Sequence, residues 1–474
     1  MIKKIKLILF IPFLIYQTSA FSKTLDERDF NPKYLSGYLS AIISQNNQDS
    51  DDSEKYFNSS KILINKHEEY LKKYVMTLVL NGEVQKSINI IKQNKNKNDF
   101  KFFNQNFLLI VDNFKKKEFG KNIELLKEFQ KYKEYSDYNY VIYEVLNSYN
   151  NLFLTGKLNL DKKNLGKLSV IIDAFEYCYL NRPETQKKFE NLINSDEGDY
   201  TRYLFFYLNT LIYKKDFKSA AQTLKKTNVL NSHLLVQQSN QWIKNSSFDK
   251  FDKFFSCNNP ADIMAEFFFL ISNFYAVEGN FKKSNFYINV ANYLNPKFYF
   301  YSTHLISNYF EINNYEKVRK LLENFNKEDE IYYWYKLKKI SQIIYNEQGS
   351  KESLSYIEKK FKNYSNVPIK IIYDMANIYK RNKEFEKSIE YYSKLLNKLI
   401  DNSEESADIL YKRGSSYERL GDEKNSDKDL LKSLSIKPDD PYVLNYLAYS
   451  WLERGYKIQE AINMLDKAYN QKKN

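Results

Sequence analysis

Residues 407–440 read ADILYKRGSSYERLGDEKNSDKDLLKSLSIKPDD. Apolar residues recur in this stretch at the spacing of one helix face, with a break at Gly421 and a stop at Pro438. Glycine is favoured where a helix ends in a left-handed conformation, and proline cannot continue a helical hydrogen-bond ladder. The stretch therefore predicts two helices joined by a tight turn. Gly414, inside the first helix, costs about 0.5–1 kcal/mol relative to alanine, and we expect it where the two helices cross closely.

The same turn recurs through the C-terminal half of the chain. Turn-forming residues at 279, 313, 349, 383, 421 and 455 are separated by 34, 36, 34, 38 and 34 residues. A period of 34 residues with helix–turn–helix content is that of the tetratricopeptide repeat (TPR). The marked positions of that repeat are occupied here by Leu410, Gly414, Tyr417, Gly421, Ser426, Leu430, Ser433 and Pro438. The chain resembles exported bacterial TPR proteins, most clearly over residues 261–474.

The resemblance implies an all-α fold, an α-solenoid of antiparallel helix pairs wound into a right-handed superhelix. The repeats are predicted at about 265–298, 299–332, 333–368, 369–402, 407–440 and 441–474. Over residues 32–260 the pattern is thinner and predicts degenerate helical hairpins. Within that region, residues 137–165 and 231–260 are not assigned to a repeat.

The N-terminal residues MIKKIKLILFIPFLIYQTSA have the layout of a signal peptide. Lysines precede an apolar run from Leu7 to Tyr16, and small residues follow around Ala20. The run is about ten residues long, whereas a membrane-spanning helix needs about 20. We expect a signal peptide over residues 1–20, a lead segment over 21–31, and a periplasmic protein of a Gram-negative-type bacterium. An uncleaved N-terminal anchor is the alternative.

The composition and the scarce reactive residues argue against nucleic-acid binding and catalysis. The formal net charge is +13, but the lysines alternate with acids along helix faces, and residues with A- and T-rich codons are common throughout. The three histidines, at 67, 233 and 304, form no motif with each other or with acids. We therefore expect no enzyme, no cofactor, no metal site, no nucleic-acid partner and no small-molecule substrate.

The two cysteines, Cys178 and Cys257, form no C-x-x-C motif. A disulfide needs Cα atoms about 6 Å apart, and separate hairpins of a solenoid rarely bring together residues 79 positions apart. Buried, unpaired cysteines are the favoured prediction, and a disulfide is the alternative.

The resemblance also implies a ligand-binding groove, because the first helices of stacked TPR pairs line a concave face. The family's contact positions carry over to Lys370, Tyr373, Asn377, Lys380, Arg381, Tyr411, Arg419, Asn445 and Tyr449. Asn377 matches the asparagine with which some relatives hold a peptide's C-terminal carboxylate, but Tyr373 stands where those relatives have a lysine. The alternative is that these residues form only a solvated helix face.

Two functions follow from this reading. The first is a scaffold of the cell envelope that binds peptides or partner proteins in the groove. The second is a structural subunit of an outer-membrane, secretion or polysaccharide-export assembly, held through its convex face or its ends. Either function allows peripheral membrane association through partners.

Overall fold

The structure is a computed structural model that describes residues 32–94, 102–159, 163–195, 201–225, 230, 232–364 and 367–472. The predicted signal peptide (1–20) and lead segment (21–31) lie outside the described residues. The described part is helical and contains no β-strand, which confirms the all-α prediction. The chain divides into two compact units, residues 1–100 and 101–474.

Four α-helices are described in the first unit: α1 Pro32–Asn46, α2 Ser50–Ser59, α3 Glu68–Leu80 and α4 Val84–Asn94. The second unit begins with α5 Phe103–Lys116, α6 Asn122–Phe129, α7 Asp137–Thr155, α8 Lys167–Tyr179, α9 Thr185–Ile193, α10 Leu204–Tyr213, α11 Phe217–Lys225, α12 Leu234–Lys244 and α13 Asp249–Phe254. It continues with α14 Pro260–Val277, α15 Phe281–Leu294, α16 Ser302–Glu311, α17 Tyr315–Leu322, α18 Glu330–Gln348 and α19 Ser350–Phe361. The last helices are α20 Ile369–Arg381, α21 Phe385–Leu396, α22 Glu404–Arg419, α23 Glu423–Ile436, α24 Pro441–Glu453 and α25 Ile458–Lys472.

From α14 to α25, each predicted repeat contains one pair of packed helices. The turn of every pair has a residue in the left-handed region: Gly279, Asn313, Gly349, Lys383, Gly421 and Gly455 have φ between 57° and 106°. These are the six turn positions expected from the sequence. In three of the turns, an Asn or Asp side chain accepts a hydrogen bond from the first turn of the second helix: Asn280, Asn314 and Asp422, each at 3.1–3.2 Å. The turn therefore both ends one helix and starts the next.

Gly414 lies at a close crossing of α22 and α23. A Cβ atom there would come within 3.0 Å of the Leu430 side chain and 3.2 Å of Asp429 Cβ. At the corresponding places in two other pairs, buried serines face each other instead. The hydroxyls of Ser272 and Ser284 are 3.0 Å apart, and the pair formed by residues 341 and 353 is equivalent. Small residues at these positions let the helices approach closely.

Some helices of the second unit pack against partners distant in sequence, unlike those of a simple repeat array. Helix α5 contacts α14 and α15, where the Tyr293 hydroxyl donates to Asp112 over 2.9 Å. Helix α12, in the stretch that the sequence left unassigned, packs on the start of α18. There the Gln238 Oε1 atom accepts hydrogen bonds from the backbone N–H groups of Ile331 (3.0 Å) and Tyr332 (3.4 Å).

The prediction of unpaired cysteines is wrong. Cys178 and Cys257 form a disulfide, with Cα atoms 5.6 Å apart. Aromatic rings pack around the disulfide. The ring centroid of Phe206, on α10, lies 5.0 Å from that of Phe175 and 4.7 Å from that of Phe255. Because α8 and the segment after α13 both pack on α10, two residues 79 positions apart become neighbours.

The three tryptophans are buried in the core. Each indole N–H donates to an aspartate carboxylate, at 3.0–3.1 Å: Trp242 to Asp329, Trp334 to Asp374, and Trp451 to Asp427. Among the described helices, none combines the length and the hydrophobicity needed to cross a membrane.

Candidate functional site: the first-helix surface

The nine predicted groove residues lie on three first helices, and we call them the first-helix surface. Helix α20 carries Lys370, Tyr373, Asn377, Lys380 and Arg381, α22 carries Tyr411 and Arg419, and α24 carries Asn445 and Tyr449. Some of these side chains bond to or pack against other residues of the chain, whereas the others face solvent.

Lys370 and Tyr373 already interact with other residues of the chain. The Lys370 ammonium donates to the backbone oxygen of Leu230 over 3.0 Å and lies 3.2 Å from the Asp374 carboxylate. Burial lowers the pKa of Lys370, and Asp374 opposes that shift. Tyr373 is buried in a cluster that includes Leu230 and Tyr392. Leu230, more than a hundred residues earlier in the chain, thus covers the start of α20.

Asn377 is partly committed to the internal packing of its own repeat. Its side-chain N–H donates to the Tyr373 backbone oxygen over 2.9 Å, and its amide oxygen accepts from the Tyr392 hydroxyl at 2.8 Å. One amide hydrogen remains for a ligand. The sequence could not show this bond, because Tyr392 also fits a purely apolar position of the second helix.

Lys380 is half-buried and donates to the Ser415 hydroxyl and, at 3.5 Å, to the Lys412 backbone oxygen. Burial lowers its pKa to about 8, and the positive charges of Lys412 and Arg419 add to the effect. An anion beside Lys380 would offset the cost of keeping this lysine charged.

A cavity of about 240 Å³ opens between α18 and α20, beside Asn377 and Arg381. Lys338 and Gln342 of α18 line its other side. Lys338 is 2.7 Å from the Asp374 carboxylate, whereas the Gln342 side-chain oxygen is buried without a hydrogen-bond partner. Arg381 is exposed and has no ion pair with any residue of the described chain.

The α22 and α24 part of the surface is more open. Arg419, Asn445 and Tyr449 are exposed, and Arg419 lies 3.5 Å from the Glu418 carboxylate. Half-buried Tyr411 contacts the ring of Tyr446 edge-on, with centroids 5.7 Å apart. These exposed side chains are available to a partner without rearrangement of the core.

Three acids beside this surface have partners, whereas Glu453, at the end of α24, is exposed and has no ion pair with the described residues. Asp374 is bonded to two lysines, and the Glu418 carboxylate accepts from the Tyr446 hydroxyl at 2.8 Å. Asp408 lies 3.2 Å from Lys437. Sequence reasoning missed Lys338 and Lys412, which add positive charge between the expected positions. The arrangement suits a carboxylate-bearing partner.

Residues 369–397 and 407–440 match the family model described as "Tetratricopeptide repeat". The chain therefore contains TPR repeats, formed by α20–α21 and α22–α23. No curated protein sequence matches the chain.

Three of the solved structures that match the chain cover most of its length. The Cut9–Hcn1 hetero-tetramer of APC/C is 11% identical, with 93% of this chain and 94% of that chain covered and a TM-score of 0.34. The yeast Tom70 structure is 16% identical, with 93% and 92% covered and a TM-score of 0.31. The TPR domain of P58(IPK) is 11% identical, with 92% of each chain covered and a TM-score of 0.27. At these scores the likeness says nothing about function.

Proposed function

We propose that the chain is a non-enzymatic scaffold of the bacterial cell envelope that binds an acidic segment of a partner protein on the first-helix surface. The observation that carries the proposal is the exposed Arg381, which has no ion pair with any described residue and lies beside a polar cavity. TPR repeats typically mediate protein–protein interaction, and stacked repeats offer extended binding surfaces.

The test uses a photo-cross-linking amino acid in place of Asn445 on α24, with Lys432 on the second helix α23 as the control position. Both residues are exposed. We expect cross-links to a partner from position 445 and none from position 432. Equal cross-linking from both positions would place the interaction on another face.

A charge-reversal pair then measures the contribution of the surface. Arg381→Glu with Arg419→Glu should weaken binding of the cross-linked partner about tenfold or more, equivalent to about 1.4 kcal/mol, because a carboxylate would meet like charge. The matched control is Lys398→Glu with Lys432→Glu, two exposed lysines outside the first helices. If both pairs weaken binding equally, the effect is one of net charge and not of this surface.

Location in the periplasm is part of the proposal. The basic and apolar start of the sequence supports export, and so does the disulfide, since disulfides persist in oxidising compartments. We expect a secreted form that begins at Phe21. N-terminal sequencing that recovers Met1 from a membrane fraction would contradict export with cleavage.

A second candidate function, a subunit of an envelope assembly held through α25, is favoured by exposed apolar side chains on that helix. Ile458, Ile462 and Tyr469 are 52%, 41% and 61% exposed. Ile462→Glu should release the chain from such an assembly and leave binding at the first-helix surface intact. If Ile462→Glu changes neither, this second function is wrong.

A further inference from the structure

A cavity of about 420 Å³ lies between α12 and the pair α18–α19, separate from the first-helix surface. It exists because α12 packs on the start of α18, where Gln238 and Trp242 bond to the chain around Asp329. The volume falls within the range of ligand-binding cavities in proteins. We call it the α12–α18 cavity.

Apolar and aromatic side chains form its inner wall. Trp242 and Leu337 are buried, and Tyr333 and Tyr364 line the space beside them. Such a wall favours a ligand with an apolar, preferably aromatic, body.

Positive charge surrounds this wall. Lys250, Lys327 and Lys360 all line the cavity. Lys250 lies 3.6 Å from Glu328 and 3.8 Å from Asp329, so its charge is largely compensated. Lys327 and Lys360 have no carboxylate within ion-pairing distance anywhere in the described chain.

Two acids, Glu328 and Glu330, line the same cavity, and Glu328 is paired with Lys250. Glu330 accepts a hydrogen bond from the Gln241 side chain, and burial raises its pKa. The lining residues thus include three lysines and two glutamates, a formal net charge of +1, with Lys327 and Lys360 outside any ion pair of the described residues. This balance selects an anion over a cation.

One polar group in the wall also lacks a partner. The Tyr364 hydroxyl is buried and makes no hydrogen bond with the described part of the protein. Buried hydroxyls are normally bonded, but this one has almost no accessible surface through which a ligand in the cavity could reach it. The aromatic wall and the two unpaired lysines line a single space.

We propose that the α12–α18 cavity binds a small organic anion, a carboxylate on an aromatic body. The aromatic body packs against Trp242 and Leu337. The carboxylate is held by Lys327 and Lys360. The site is a binding site with no reaction attached to it.

The test compares three probes of one shape and different charge: 3-phenylpropionate, its neutral amide and 3-phenylpropylamine. Titration calorimetry on the full chain should show saturable 1:1 binding of the carboxylate, at least tenfold tighter than the amide, and weakest binding of the amine. No saturable binding of the carboxylate, or equal or tighter binding of the amide or the amine, overturns the proposal.

Matched variants test whether the probe binds in the α12–α18 cavity. Lys360→Glu should weaken 3-phenylpropionate at least tenfold, whereas Lys359→Glu, at an exposed neighbour that does not line the cavity, should leave it unchanged. Lys327→Glu, at an exposed site before α18, provides a second reversal should the first variant be poorly folded. Equal effects of residues 359 and 360, or none from residues 327 and 360, overturn the assignment to this cavity.

Discussion

Gly414 shows how a single missing side chain sets the distance between two helices. Gly414→Val would place new atoms where Cβ alone is already 3.0 Å from Leu430. We expect a loss of about 1–3 kcal/mol in the free energy of unfolding, from overpacking. The urea midpoint of unfolding measures it. Gly120→Ala is the control, because a Cβ there meets nothing within 4 Å, and its effect should be small.

Lys380 makes stability depend on pH. Its pKa in the folded chain is lowered to about 8 by burial and by Lys412 and Arg419, below its ordinary value of 10.5. Between these two pH values the unfolded chain binds more protons, so stability rises with pH. Below about pH 8 the cost of the buried charge is fully present.

Lys380→Met removes the cost of the buried charge and tests the direction in which stability changes with pH. We expect the variant to be more stable than the natural chain at pH 7, with the difference shrinking by on the order of 1 kcal/mol by pH 10. Unfolding midpoints at the two pH values measure the change. Lys432→Met, at an exposed lysine of α23, is the control. A difference that stays constant or grows with pH would contradict this account.

At the scale of elements, α12 caps a helix that begins about 90 residues later. The first backbone N–H groups of a helix have no partner within it, and Gln238 supplies an acceptor for those of Ile331 and Tyr332. Gln238→Met should therefore cost about 1–3 kcal/mol and raise hydrogen exchange at the start of α18. Lys244→Met, on the exposed face of α12, should do neither. Unchanged exchange at residues 331 and 332 would show that Gln238 is not the cap.

At the scale of the whole molecule, the disulfide closes a loop of 79 residues. Its removal by Cys178→Ala with Cys257→Ala should lower the free energy of unfolding by about 2–4 kcal/mol, mainly because the unfolded chain gains freedom. Thermal melts with and without reductant measure this. Reductant should lower the melting temperature of the natural chain and leave that of the double variant unchanged. Equal melting temperatures of the natural chain with and without reductant would contradict the prediction.

The sequence by itself determined the local plan of α14–α25. Turn residues such as Lys383 and Gly421 and the close crossing at Gly414 follow from patterns within one repeat. These features depend on contacts between residues less than about 40 positions apart. A periodic pattern records such contacts directly, because each repeat must bury the same face against its neighbour.

Only the tertiary structure decided which parts of the chain meet across long separations. Three such contacts join residues 79 to 143 positions apart. They are the Cys178–Cys257 disulfide, the packing of α12 on α18, and the packing of Leu230 against Tyr373. No period marks these contacts, since each occurs once. For the candidate site, the sequence could name Lys370 and Tyr373 by register but could not show that Leu230 already lies against them. The physical reason is that burial depends on everything that packs nearby, whereas register depends only on the helix itself.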